Sequence, residues 1–384
     1  MAERKGDAAT APERRATPAE ASAEAQKLLP ALLAAVDATR PVAIYTHDQP
    51  DPDSIASAYA LQLLLSKKCE VEPIIAYGGS IGRSMNRAMV EMLAVRLYPL
   101  AQVKTGEFGT HCLIDTQPGA GNHSLPPDLP IAIAIDHHRR IPESDKVPFA
   151  DVRTEYGATS TIMYYYLRAA GLDLPTRLAT ALLIGIKSDT RELEREASEA
   201  DLAAYLEIFP RADLTLLARV ERPRIPRPYF EAFHTALERS TLYDGVLVSD
   251  LGEVENPDLV PELADFFSPL DRADCALVMG RHKGRLYVSL RTRRPGIDAG
   301  ELILRTVGDL GTAGGHGRVA GAQVSLEDGG GENSAREVTK RLLRALELDE
   351  DMRGESLIRG AGGKDGGEGP AKTRKRGAAK KKAR

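Results

Sequence analysis

The first half of the chain contains four short, uninterrupted runs of apolar residues, and acidic or histidine residues follow each run. The runs span residues 42–45, 112–114, 131–135 and 182–186. Continuous apolar runs of this length are typical of strands buried on both faces of a parallel sheet, although periodicity alone also permits a buried helix for the last run. The pattern therefore predicts an α/β fold with a parallel sheet in the N-terminal half.

The polar residues behind these runs are carboxylates and imidazoles. In chain order they are His47, Asp48, Asp51, Asp53, Asp115, Asp136, His137, His138 and Asp189. In an open α/β sheet, ligands bind outside the carboxyl ends of the strands, so we expect these side chains to converge. Carboxylate oxygens mixed with imidazole suit Mn²⁺ or Mg²⁺, and paired ions of this kind recur in phosphoryl hydrolysis. The sequence predicts a two-metal site.

The first cluster leads into a predicted helix over residues 55–65, with Ser54 as its N-cap. The positive end of this helix would also suit a phosphate. Taken singly, each cluster has an ordinary alternative, because strand-end aspartates often cap turns and paired histidines often lie in surface loops. Asp189 could likewise cap a helix that starts near Thr190. The combination of all four clusters favours the metal site.

The clusters together resemble the motifs of the DHH phosphoesterases over residues 28–215. The matching segments are His47-x-x-Pro50-Asp51-x-Asp53, the isolated Asp115, Asp136-His137-His138 and the stretch from Gly185 to Thr190. This superfamily includes RecJ-type exonucleases, nano-RNases that also act on 3′-phosphoadenosine 5′-phosphate, cyclic dinucleotide phosphodiesterases and family II pyrophosphatases. The resemblance implies metal-dependent hydrolysis of phosphate esters.

The resemblance also implies a role for each matching residue. The implied metal ligands are His47 and Asp51 for one ion, Asp53, His137 and Asp189 for the other, and Asp115 as a bridge. His138 would contact the scissile phosphate and would not bind metal. The catalytic residues would then be Asp115 and His138, acting with a hydroxide shared by two ions. The resemblance favours Mn²⁺ as the cation, with Mg²⁺ as the alternative.

A second α/β region follows a linker and connecting helix over residues 216–240, in which prolines alternate with arginines. The segment Gly314-Gly315-His316 resembles the signature of the DHH-associated C-terminal domain, although Ala313 replaces a glycine of that signature. Arg291 closes a predicted strand and matches a substrate-binding arginine of that domain. An arginine fork and close backbone amides suit a nucleotide phosphate.

The C-terminal signature favours the nano-RNase and small-nucleotide branch over family II pyrophosphatases and RecJ exonucleases. The expected substrate is a short RNA or DNA oligonucleotide or a small nucleotide, bound in a cleft between the two domains. A glycine-rich turn over residues 77–88 carries Arg83 and Arg87, which either contact this substrate or are solvated at a helix start. A soluble cyclic dinucleotide phosphodiesterase, a 3′-phosphoadenosine 5′-phosphate phosphatase and a non-catalytic nucleotide- or nucleic-acid-binding protein remain alternatives.

The remaining features concern the termini and the cellular location. We predict a disordered leader over residues 1–24, a DHH-associated domain over 241–350 and a flexible tail over 351–384. The tail is basic within a chain of net charge −4, so it either contacts nucleic acid nonspecifically or only aids solubility. Three scattered cysteines and no apolar run of spanning length predict a cytoplasmic protein without a membrane partner. The oligomeric state is undetermined at this level.

Overall fold

The computed structural model describes residues 15–194, 197–326 and 331–358, which separate into two units between Pro226 and Arg227. Both units combine helices with a β-sheet, which confirms the predicted α/β fold class. None of the described helices is long and apolar enough to cross a membrane. The predicted tail beyond Ile358 and the leader before Arg15 lie outside the described residues.

The N-terminal unit is built on a six-stranded sheet in which every pair of neighbouring strands is parallel. The strands are β1 (Val42–Tyr45), β2 (Ile74–Tyr77), β3 (Leu97–Pro99), β4 (Thr110–Ile114), β5 (Ile133–Asp136) and β6 (Phe149–Val152). Their order is β3-β2-β1-β4-β5-β6, so the strand order reverses between β1 and β4. Such a reversal opens a crevice at the carboxyl ends of the two central strands.

Seven helices of this unit fall within the described residues. They are α1 (Pro18–Ala34), α2 (Pro52–Lys68), α3 (Ser84–Leu93), α4 (Thr159–Ala169), α5 (Thr176–Asp189), α6 (Glu199–Ile208) and α7 (Leu214–Glu221). Short 3-10 helices span Leu100–Gln102, Thr105–Glu107, Pro142–Lys146 and Phe209–Arg211. Alternate residues of β1 show how the sheet is covered. Val42 and Ile44 join the helical core, whereas Ala43 and Tyr45 pack with the loops and 3-10 segments of the other face.

Two predictions about helices and strands in this unit differ from the structure. The apolar run at 182–186 is part of helix α5, so the buried-helix alternative holds and the strand was wrong. Helix α2 begins at Pro52, and its N-cap is Asp51 instead of Ser54, because the Asp51 carboxylate accepts from the Ser54 amide at 2.9 Å. Proline suits the first helical turn because the amide hydrogen it lacks would have no helical partner there.

The predicted leader also differs from the structure at its C-terminal end. Helix α1 starts at Pro18 behind a capping box formed by Thr17 and Glu20, and it buries Ala21 and Ala25 against the rest of the unit. Because these small residues pack into the core, the chain is ordered well before the predicted boundary at residue 24. Helix α7 ends at Glu221, within the segment predicted as a linker and connecting helix.

The C-terminal unit is built on a seven-stranded sheet with the order β11-β12-β10-β9-β8-β7-β13. Its strands are β7 (Ser240–Tyr243), β8 (Val246–Glu253), β9 (Cys275–His282), β10 (Arg285–Thr292), β11 (Gly311–His316), β12 (Val319–Ser325) and β13 (Glu355–Ser356). Strands β8 and β9 are parallel, and the other pairs are antiparallel. The sheet of this unit is therefore mixed.

Helices cover both faces of this second sheet. They are α8 (Arg227–Arg239), α9 (Leu259–Phe267), α10 (Ala299–Val307) and α11 (Gly331–Ala345), with a 3-10 turn at Gly308–Leu310. Leu277 of β9 packs with α10 and α11, whereas its neighbour Val278 packs with α8 and α9. Because successive side chains of a strand point to opposite faces, the sheet carries one hydrophobic core on each face. Strand β13 pairs with β7 at the start of the segment predicted as a flexible tail.

A buried carboxylate fixes the loop that precedes α4. Asp201 of α6 is fully buried and accepts hydrogen bonds from the amides of Gly157 and Ser198 at 2.8 and 2.7 Å. It also accepts from the hydroxyls of Thr161 and Ser198 at 2.5 and 2.6 Å. These four donors satisfy the carboxylate oxygens, so this residue ties the N-terminal turn of α4 to α6.

Replacing this carboxylate should destabilise the N-terminal unit. We expect Asp201→Ala to lower the free energy of unfolding by about 3 kcal/mol or more, because it leaves several buried donors without an acceptor. Urea denaturation followed by circular dichroism measures the change. The exposed Asp128 provides the control, since Asp128→Ala should change stability by at most about 0.5 kcal/mol. Equal stability of the two variants would contradict the role of Asp201.

Candidate metal centre

The loop after β1 brings His47 and Asp51 to the carboxyl end of the sheet. The Nδ1–H group of His47 donates to the carbonyl oxygen of Asp48 at 2.9 Å, which leaves Nε2 as the unprotonated nitrogen of the neutral ring. This Nε2 atom lies 3.6 Å from Asp51 Oδ1 and 3.6 Å from Asp115 Oδ2. The three side chains form the first of the acidic and histidine groups in this unit.

Asp115 follows β4 and occupies the middle of the site. It is fully buried, and its backbone adopts a left-handed conformation with φ of 58°. Its amide donates to the carbonyl oxygen of Ile135 at 2.9 Å, which ties the turn to β5. The two carboxylate oxygens of Asp115 differ in their contacts. Oδ1 accepts from the Thr159 hydroxyl at 2.8 Å, whereas Oδ2 accepts no hydrogen bond from any described residue. A buried carboxylate oxygen without a donor is costly and is typical of a cation ligand.

A second group lies on the other side of Asp115. His137 Nε2 is 3.2 Å from Asp189 Oδ2 and 3.7 Å from Asp115 Oδ1. Asp53, on the first turn of α2, is fully buried and accepts from the amides of Thr159 and Ser160 at 2.7 and 2.8 Å. Asp189 reaches this group from the last residue of α5, so a helix end supplies the ligand that we expected from a strand end.

His138 is held differently from its neighbour His137. Asp136, the last residue of β5, accepts from His138 Nδ1 at 2.9 Å and from the His137 amide at 2.8 Å. Its other oxygen accepts from Gln117 Nε2 at 2.7 Å. The His138 side chain is 44% exposed, against 12% for His137. Asp136 therefore orients the histidine pair, and the His138 ring is the more accessible of the two.

The residues present suit two divalent cations. Three groups each place their candidate donor atoms within 4.8 Å of one another. The groups are His47 with Asp51 and Asp115, Asp53 with His137 and Asp189, and Asp115 with His137 and His138. Asp115 belongs to both sides, and its partnerless Oδ2 faces the side of His47. Mixed carboxylate and imidazole donors of this kind bind Mn²⁺ and Mg²⁺.

The site gathers mutually repelling acidic groups in a buried place. Burial, together with the charges of Asp189 and Asp51, raises the pKa of Asp53 to about 7. Burial and the neighbouring carboxylates also raise the pKa of Asp115 well above its usual range. Burial alone would lower the pKa of His137, but the adjacent Asp189 outweighs it and raises that pKa to about 10. The raised pKa values favour the protonated forms of Asp53, Asp115 and His137.

Cation binding should therefore release protons and strengthen as the pH rises. Groups with raised pKa values keep their protons at low pH, where protons compete with a metal for the same atoms. We expect the affinity for Mn²⁺ to increase from about pH 6.5 to about pH 8, with release of roughly one proton or more per protein. Calorimetric titration in two buffers of different ionisation enthalpy measures the released protons. A binding enthalpy independent of the buffer would contradict the expectation.

Sequence reasoning missed the residues that hold the candidate ligands in place. Thr159 and Ser160 start α4 and donate to Asp53, yet nothing in their local pattern distinguishes them from an ordinary helix start. Gly185 lies opposite them in α5, where a Cβ atom would stand 2.3 Å from Ser160 Oγ and 3.1 Å from Asp53 Oδ1. The close approach of α5 to α2 and α4 therefore requires glycine at this position.

A methyl group at Gly185 should disturb the site although alanine favours helices. The intrinsic gain of alanine in a helix is about 1 kcal/mol, but the new Cβ must displace Ser160 or Asp53. We expect Gly185→Ala to weaken Mn²⁺ binding about tenfold or more, as measured by calorimetry. The double variant Gly185→Ala with Ser160→Ala removes the nearest clashing atom and should recover part of the affinity. Unchanged binding in the single variant would contradict this account.

The predicted substrate-binding arginines occupy two settings. Arg83 is exposed at the N-cap position of α3, and Arg87 donates to the carbonyl oxygen of Gly82 within the same turn. Their neighbour Asn86 is buried and donates to the carbonyl oxygen of Pro50 at 2.9 Å. Asn86 thus connects α3 with the residue directly before Asp51. The structure therefore places the glycine-rich turn beside the loop that carries His47 and Asp51.

The remaining predicted substrate residues lie in the C-terminal unit. Arg291 is buried, and its guanidinium donates to Asp265 Oδ1 at 2.6 Å, Ser289 Oγ at 2.9 Å and the Leu290 carbonyl oxygen at 3.0 Å. Gly314, Gly315 and His316 belong to strand β11. Arg291 therefore has a structural role in this unit, and its role in substrate binding stays a prediction.

Comparison with known proteins identifies both regions. The model of the DHH family N-terminal domain matches residues 41–186, and the model of the DHHA1 domain matches residues 244–347. A protein of Methanocaldococcus jannaschii, described as uncharacterized, is 34% identical over 290 residues, which cover 74% of this chain and 58% of that protein. A probable manganese-dependent inorganic pyrophosphatase of Brevibacillus brevis is 27% identical over 177 residues, or 46% of this chain and 56% of that protein. The chain spans little more than half the length of these relatives.

The fold has a counterpart among solved structures. An exopolyphosphatase-related protein from Bacteroides fragilis superposes with a TM-score of 0.67 at 14% sequence identity, covering 84% of this chain and 96% of that one. At this identity the likeness concerns the fold alone. The two family models match the chain in the order in which the motifs occur, and together they establish the family. The chain belongs to the DHH family and carries a C-terminal DHHA1 domain.

Proposed function

We propose that the protein is a metal-dependent phosphoesterase that hydrolyses phosphate ester bonds of short oligonucleotides or small nucleotides, as nano-RNases do. The observation that carries the proposal is the buried Asp115 carboxylate, whose two oxygens lie toward two groups of candidate ligands. Two divalent cations, when bound, activate water at neutral pH and neutralise charge on the phosphoryl oxygens. Manganese is the first choice of cation, which the manganese-dependent relative from Brevibacillus brevis supports.

The chain's own side chains then have distinct roles. In the proposal, His47, Asp51, Asp53, His137 and Asp189 would hold the cations, and Asp115 would contribute to both groups of ligands. His138 binds the scissile phosphate, because Asp136 holds its Nδ1 atom and thereby turns Nε2 away from the carboxylate. In this orientation, the Nε2 edge of His138 is the one that would face a phosphoryl oxygen.

The substrate class rests on the second domain. The DHHA1 domain supplies the glycine motif of β11 and Arg291, both of which we propose to contact a nucleotide. Arg83 and Arg87, beside the metal loop, are proposed to contact a second phosphate. Inorganic pyrophosphate is the second candidate substrate, because one relative is described as a probable inorganic pyrophosphatase. Cyclic dinucleotides and 3′-phosphoadenosine 5′-phosphate follow from the wider superfamily resemblance.

Activity with a panel of substrates tests the proposal. The purified protein, supplied with Mn²⁺, is offered a 5′-labelled RNA dinucleotide, 3′-phosphoadenosine 5′-phosphate, a cyclic dinucleotide and pyrophosphate in parallel reactions. We expect the dinucleotide to give the highest kcat/KM. A higher kcat/KM for pyrophosphate would mean that pyrophosphate, and not a nucleotide, is the substrate, and it would leave the proposed metal-dependent hydrolysis unchanged. Metal binding without turnover of any substrate would favour a nucleotide-binding protein instead.

Replacing the central carboxylate should abolish turnover without unfolding the protein. Asp115→Asn keeps the shape of the side chain and an oxygen for Thr159, but it cannot bridge two cations. We expect kcat/KM to fall on the order of 10³-fold, since bridged cations contribute several kcal/mol to the transition state. Steady-state kinetics and circular dichroism give the two readouts. The exposed Asp173 supplies the matched control, because Asp173→Asn should leave kcat/KM unchanged. Retained activity in Asp115→Asn would refute the bridging role.

A further inference from the structure

The first turn of α4 makes hydrogen bonds to two candidate ligands at once. The Thr159 amide donates to Asp53 Oδ2 at 2.7 Å, and the Ser160 amide donates to Asp53 Oδ1 at 2.8 Å. The Thr159 hydroxyl donates to Asp115 Oδ1 at 2.8 Å. All four residues are fully buried, so solvent does not compete for these bonds. Asp53 comes from α2 and Asp115 from the end of β4, and Thr159 links the two.

We infer that Thr159 is a positioning residue of the metal centre, which sets the distance between Asp53 and Asp115 and the orientation of the Asp115 carboxylate. The inference rests on the proposed function, because it takes Asp53 and Asp115 as cation ligands. Thr159 itself does not touch the reacting atoms. It acts through the two carboxylates, one of which is assigned to a single ion and the other to both.

The hydroxyl bond determines how Asp115 presents its oxygens. A carboxylate rotates about its Cβ–Cγ bond unless a neighbour holds it, and terminal torsions of this kind have broad minima. The Thr159 hydroxyl takes one acceptor position on Oδ1, while Oδ2 lies 3.6 Å from His47 Nε2. Oδ1 keeps a second acceptor position toward His137, whose Nε2 atom is 3.7 Å away. The bond therefore holds one oxygen toward each group of ligands.

The amide bonds determine how Asp53 is held. Backbone amides at the start of a helix carry partial positive charge and stabilise a carboxylate. Both oxygens of Asp53 accept one such amide, which fixes the plane of the group in the narrow space between α2, α4 and Gly185. Each oxygen retains an acceptor position for a cation. Because the amide and hydroxyl of Thr159 belong to one residue, Asp53 and Asp115 cannot separate without breaking one of its bonds.

Thr161 gives a matched comparison two residues further along the same helix. Like Thr159, it is fully buried and donates its hydroxyl to a buried aspartate, Asp201, at 2.5 Å. Asp201 belongs to none of the candidate ligand groups. Replacing either threonine with valine preserves its shape and removes one buried hydroxyl bond to a carboxylate. The two variants therefore share the structural cost and differ in whether a candidate cation ligand loses its donor.

The experiment measures Mn²⁺ binding by calorimetry and unfolding by urea on the full chain. We expect Thr159→Val to weaken Mn²⁺ binding about 10- to 100-fold, because replacing a residue that hydrogen-bonds to a metal ligand commonly has an effect of this size. Thr159→Ser, which keeps the hydroxyl, should bind Mn²⁺ within a few-fold of the wild type. Thr161→Val should lose stability and keep the Mn²⁺ affinity. Urea unfolding identifies variants that fold, and Thr159→Ala, with more room around the site, replaces Thr159→Val where the latter does not fold.

Kinetic measurements distinguish a weakened metal site from a general loss of stability. In Thr159→Val we expect the Mn²⁺ concentration for half-maximal activity to rise, with kcat recovering largely at saturating Mn²⁺ and KM for the substrate unchanged. Equal Mn²⁺ affinity in folded Thr159→Val and wild type, with binding lost in Asp115→Asn, would overturn the inference and leave the proposed function intact. A wild-type protein that binds no Mn²⁺ would overturn both.

Discussion

The site depends on one buried carboxylate, that of Asp115, and on the sheet topology that places it. The strand order reverses between β1 and β4, so the loop that carries His47 and the turn that carries Asp115 open on the same crevice. The turn requires a left-handed backbone at a residue other than glycine, which is an unfavourable conformation. The amide bond to Ile135 and the hydroxyl bond from Thr159 hold the residue there.

Crowding of acidic groups has a consequence for folding as well as for chemistry. A buried carboxylate without a counter-ion destabilises the folded state, and this unit places several beside one another. Protons on Asp53 and Asp115 lessen that cost, as their raised pKa values indicate. Cations would relieve it further, since a ligand that binds only the folded state stabilises it. We therefore expect the same arrangement of carboxylates to make the folded unit less stable when no cation is bound.

Much of the fold and the grouping of the candidate ligands could be predicted because both follow from local chemistry. Uninterrupted apolar runs identified β1, β4 and β5, and the rule about strand ends brought His47, Asp115 and His137 together. The prediction of a strand before Asp189 was wrong, because a buried helix can be as continuously apolar as a buried strand. Asp189 nevertheless lies beside His137, because α5 packs against α2 and ends at the same edge.

The residues that could not be predicted act through contacts distant in sequence. Thr159 is 106 residues from Asp53 and 44 from Asp115, and its local pattern reports neither partner. Arg291 shows the converse, because a motif marked it for a ligand while its guanidinium is engaged by Asp265 and Ser289. An arginine held by these bonds has little freedom to reorganise, so any phosphate it binds must meet the fork in its present orientation. Pre-ordering of this kind lowers the entropy lost on binding and narrows the range of ligands accepted.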